Sequence, residues 1–145
     1  MHNGEQPTFD AAQLAGEVLS QNPVLGEKIA QALGIRQELA PLALREAVRF
    51  MYLVAHNHSG RLTPSHRVDL AWHEFILCTR VYQEFCETNF GRMIHHFPGG
   101  STRENRFKYV RTLQHYAKAF GKPDEFYWGS LTAVTPTDCG ACESF

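Results

Sequence analysis

The chain has 145 residues, enough for one domain, and its 43% apolar content, with ten Phe, five Tyr and two Trp, supplies a packed core. Fourteen basic residues against fifteen acidic ones leave a formal charge of −1, which excludes bulk electrostatic attraction to nucleic acid or an anionic membrane. The opening MHNGEQPTFD carries neither region of a signal peptide, and no apolar run approaches the roughly 20 residues that span a bilayer, so a cytoplasmic protein is expected.

Residues 9–20 and 23–33 place apolar side chains at helical spacing, with Asp10 as N-cap of the first segment and Gly34 as the stop of the second. Residues 37–56 continue the pattern through Leu39, Leu42, Leu44, Val48, Met51 and Val54, with Pro41 placed early, where a helix tolerates it. Thr63-Pro64 then reads as a helix start and Gly91 as a left-handed stop. Between them the spacing predicts a central helix of about 26 residues. It is apolar on two sides, through Val68, Trp72, Phe75 and Ile76 on one and Leu70, Leu77 and Val81 on the other.

Residues 92–100 form a connection containing proline and paired glycines, and Ser101 with Glu104 has the form of a capping box. The helix that follows runs to about Phe120, with Tyr109, Leu113, Tyr116 and Phe120 as its stripe and Gly121-Lys122-Pro123 as its end. Its cations scatter, which reads as a solvated face and not a nucleic-acid surface. The group Phe126-Tyr127-Trp128 is expected to pack back onto the body. No segment alternates as a strand, so the fold expected is all-α: one compact bundle of about five helices over 1–129, with a flexible tail over 130–145.

The segment predicted as the central helix holds the chemistry. With His66 set at zero on the helical wheel, Asp69 falls near about −60°, His73 near about −20° and Arg80 near about −40°, so one edge gathers all four. A carboxylate and an imidazole one turn apart can converge on a single divalent ion. His95-His96, beyond the Gly91 stop, are placed to complete such a set if the chain folds back. The competing arrangement is a structural network in which Asp69 accepts from His73 and pairs with Arg80.

The run Val68-Asp69 to Trp72-His73, followed by Tyr82, Phe85-Cys86, Gly91 and His95-His96-Phe97-Pro98, resembles the glycine-rich domain-containing protein-like family. The likeness continues more loosely through Tyr116, Phe120-Gly121, Trp128-Gly129 and Cys139-Gly140 to Cys142. It implies a small helical domain, and it selects Asp69, His73 and His96 as metal ligands ahead of His66 and His95. Many relatives read W-H-x-H where this chain has Trp72-His73-Glu74-Phe75, so a second imidazole there is not carried over.

Four cysteines do not make a secreted disulfide framework. Cys78 and Cys86 read as buried thiols, and the C-x-x-C of Cys139 and Cys142 reads first as structural or incidental thiols, then as two reserve or cross-chain metal ligands, and last as a redox pair. No nucleophile elbow, P-loop, dinucleotide fingerprint or H-E-x-x-H occurs. Three functional readings follow. The first is a metal-binding helical domain using Asp69, His73 and His96, with zinc favoured and iron second. The second is a non-catalytic module for a protein partner, in which the same residues form a structural network. The third is a metal-dependent enzyme with an open coordination position; no small-molecule ligand follows from the residues.

Overall fold

The computed structural model describes residues 9–57, 60–97 and 100–129. These form seven α-helices and one 3-10 turn, and no strand occurs among them, in agreement with the all-α expectation. The Asp10 carboxylate accepts the Gln13 amide at 3.0 Å and opens α1 (Ala11–Gln21). Helix α2 (Pro23–Leu33) begins on a proline, whose missing N–H costs nothing in the first turn, and stops at Gly34 with φ 67°. A 3-10 turn, Gln37–Leu39, leads into α3 (Ala40–His56).

Helix α3 is the axis of the bundle, packed against α1, α2, α4 and α6. It buries Ala43, Leu44, Ala47, Val48, Phe50 and Met51, and with them a carboxylate, Glu46. The central position expected for the segment that follows therefore belongs to α3.

That next segment is not one helix. It divides into α4 (His66–Leu77) and α5 (Thr79–Phe90) at Cys78, whose ψ of 66° leaves the helical region. Neither glycine nor proline marks the break; the aromatic core explains it. Along a straight helix Phe75 would lie about 10 Å below Tyr82 and about 15 Å below Phe85 in axial rise. At the bend the Phe75 ring meets Tyr82 edge-on at 5.1 Å and Phe85 at 5.2 Å. The second apolar side is only partly used: Leu77 is 64% exposed, while Val81 packs against the core.

The two described cysteines flank this corner as free thiols, Cys78 half-buried and Cys86 fully buried. Burial raises the Cys86 thiol above its ordinary range, which suppresses the reactive thiolate. In the native protein a maleimide reagent is expected to label Cys78 and to reach Cys86 only after unfolding, as read by peptide mass spectrometry. Equally rapid native labelling of Cys86 would contradict the packing of α5.

Ser101 caps α6 (Thr102–Phe120) as expected, its hydroxyl accepting the Glu104 amide at 3.1 Å. The short α7 (Glu125–Trp128) folds back: Tyr127 and Trp128 are buried, Phe126 remains exposed, and the Tyr109 hydroxyl donates to the Trp128 carbonyl. Among the described residues no helix is long and apolar enough to cross a membrane. Residues 130–145, expected as the tail, lie outside the described residues.

Candidate functional site

Helix α4 starts two residues later than the Thr63-Pro64 pair suggests. Ser65 is the cap, its hydroxyl accepting the Val68 amide at 3.1 Å, while the buried Thr63 donates its own amide to Thr112 Oγ1 at 3.0 Å and ties the approach to α6. Asp69 consequently lies in the first turn, where the helix dipole favours a carboxylate.

The chain returns to Asp69 by a pinned loop. Gly91, at φ 70°, ends α5 and turns the backbone, and the Arg92 guanidinium donates to the Val54 and Ala55 carbonyls at 3.3 and 3.4 Å. Ile94 is fully buried, and its carbonyl accepts the Tyr82 hydroxyl. The same hydroxyl oxygen accepts Trp72 Nε1–H at 3.0 Å. Burial pushes the Tyr82 phenol far up, so it remains a donor. The bend at Cys78 makes this chain of bonds feasible, because Trp72 and Tyr82 would be about 15 Å apart in rise along a straight helix.

Two residues beyond Ile94, His96 lies beside the Trp72 ring, with centroids 4.9 Å apart, and its Nε2 donates to Asp69 Oδ1 at 2.7 Å. The two side chains are partly exposed, 26% for His96 and 20% for Asp69. The exposed His73 ring stacks on His96, 14° from parallel with centroids 5.8 Å apart.

The structure thus brings Asp69, His73 and His96 together. The hydrogen-bond partner of Asp69 among the described residues is His96, in place of the His73 and Arg80 of the expected structural network. His95 is exposed beside Phe97, and His66 is half-buried in the first turn of α4. Cys139 and Cys142 lie outside the described residues. Among the described residues no group of three or more His, Cys, Asp or Glu side chains is gathered as a metal-ligand set: Asp69 and His96 touch, and His73 meets the face of the His96 ring.

A second polar centre was not anticipated from the sequence. Glu46 is 0% exposed, yet both its oxygens are occupied. Oε1 accepts Arg45 Nη2 at 3.1 Å and Arg49 Nη1 at 3.4 Å, while Oε2 accepts the Tyr116 hydroxyl at 2.6 Å and Trp128 Nε1 at 3.0 Å. Burial, then the bond to Glu46, push the Tyr116 phenol up and keep it a donor. A signal was present: Glu46 stands three residues after Ala43 and four before Phe50, on the face those residues bury.

The profile of the UCP032817-like family matches residues 20–118. The chain belongs to this family. Membership of the UCP032817-like family replaces the resemblance to glycine-rich domain-containing proteins. The match covers the body from α2 almost to the end of α6, whereas Trp128-Gly129 and Cys139 to Cys142, on which that resemblance partly relied, fall beyond it. The short V-D-x-x-W-H block is too small a part of the chain to decide the family. No curated protein and no solved structure matches the chain.

Proposed function

We propose that Asp69, His73 and His96 bind a divalent cation, zinc in preference to iron. The supporting observation is the 2.7 Å approach of His96 Nε2 to Asp69 Oδ1 across 27 residues of sequence, with a second imidazole stacked alongside. Mixed carboxylate and imidazole donors suit zinc, and two imidazoles with one carboxylate also suit iron(II). A cation here takes the place of the proton between the pair, and the exposed His73 side chain turns to complete the set. Three protein donors leave coordination positions for water, which is the sole basis for the enzymatic reading.

Elemental analysis of untagged protein tests this. About one zinc or iron per chain is expected, with loss of the metal from Asp69→Ala and from His73→Ala, and progressive loss as pH falls because protons compete for the ligands. Metal content unchanged in both variants, or no uptake on reconstitution, sinks the ligand set. The second reading, a non-catalytic interaction module, gains from the same bond, which closes the loop onto α4 between two protein groups without an ion. In that case Asp69→Ala loses stability and there is no metal to lose.

A further inference from the structure

A pocket of about 450 Å³ opens between α3, the end of α6 and the start of α7, lined by Arg45, Glu46, Arg49, Tyr116, Lys122 and, at its rim, Asp124 and Glu125. The charges on its wall are unevenly committed. Glu46 is fully buried and its oxygens are occupied by protein donors, while the two guanidiniums that hold it remain 23% and 25% exposed. Arg45, Arg49 and the exposed Lys122 balance Glu46, Asp124 and Glu125, so the lining is neutral overall, with the two guanidiniums on α3 and the two acids outside the Glu46 cluster at the start of α7. Arg45 Nε–H is itself buried and has no acceptor among the described residues, so Arg45 is held to Glu46 through Nη2 alone, and the part of its side chain that stays exposed lines the pocket. The acids on the rim would repel a dianion. Asp124 accepts the Phe126 amide at 2.9 Å, and Glu125 is exposed beside it.

We propose that this pocket binds a small zwitterion, its carboxylate on Arg45 and Arg49 and its ammonium toward Asp124 and Glu125. Planar guanidinium forks match carboxylate geometry, and partial burial limits the screening that makes surface ion pairs weak.

The test is an NMR titration of arginine Nε–H resonances in the full-length protein with 4-aminobutyrate, alongside butyrate and sodium chloride at matched ionic strength. Saturable shifts of Arg45 and Arg49 are expected with 4-aminobutyrate, at lower concentration than with butyrate. Arg45→Lys keeps the charge but removes the fork, and should weaken binding about tenfold. Lys122→Ala, a change at an exposed site that leaves the core intact, should weaken it severalfold. Non-saturable shifts that merely follow ionic strength would overturn the proposal, as would equal affinity in wild type and both variants. Butyrate binding as tightly as 4-aminobutyrate would remove the ammonium subsite and with it the zwitterion.

Discussion

Replacing Glu46 by alanine is expected to destabilise the fold by about 3–5 kcal/mol, the range for removing one partner of a buried charge pair. Three donors lose their acceptor at once, Arg45 Nη2, the Tyr116 hydroxyl and Trp128 Nε1, while Arg49 Nη1 keeps only its 2.7 Å bond to the Tyr116 hydroxyl oxygen. Tyr116 and Trp128 are 1% and 0% exposed, so water does not replace the carboxylate for them without opening the core. The arginines are better placed, because each already reaches solvent. Glu46→Gln separates these contributions. It retains an acceptor for the aromatic donors while leaving the guanidiniums without a counter-charge, and should lose clearly less than alanine. Urea denaturation followed by circular dichroism measures both, with the slope unchanged if only stability alters. A Glu46→Ala protein within about 0.5 kcal/mol of wild type would mean that α7 is not held to α3 through this carboxylate.

The parts of the fold legible in the sequence are those fixed by local chemistry. Asp10 and Ser101 cap, and Gly34 and Gly91 stop, because each acts on backbone groups within a few residues of itself. The break at Cys78 has no such mark. It arises from rings seven and ten residues apart meeting in the core, which helical periodicity treats as one continuous face. Ser65 displaced the expected Thr63-Pro64 start for a similar reason: the Thr63 amide is used by Thr112, 49 residues away. At the site, the wheel placed Asp69 and His73 on one edge and the glycine stop suggested the return of the histidine pair. Which group bonds to which was hidden, since His96 reaches Asp69 through a loop positioned by Trp72 and Tyr82 on either side of that unmarked bend. Glu46 was overlooked because a glutamate in an amphipathic helix is ordinarily a surface residue.

The same bend sets the second large effect. Tyr82→Phe deletes one oxygen but orphans two buried groups, the Trp72 indole N–H and the Ile94 carbonyl, and should destabilise the protein by about 2–4 kcal/mol. The loss should be felt most in residues 91–97, whose interior anchor is Ile94. Hydrogen exchange of that peptide is expected to accelerate well beyond the change in the α1 and α2 peptides. Asp69→Ala provides the comparison. It removes a different tether of the loop, but the Asp69–His96 pair is 20% and 26% exposed, so water can stand in for either partner and the loss should be nearer about 1 kcal/mol. If Asp69→Ala instead frees the loop as much as Tyr82→Phe, the carboxylate–imidazole bond carries the closure and the hydroxyl is secondary. If Tyr82→Phe dominates, the tyrosine is a positioning residue: it holds His96 against Asp69 from behind, leaving the imidazole and carboxylate available for a cation.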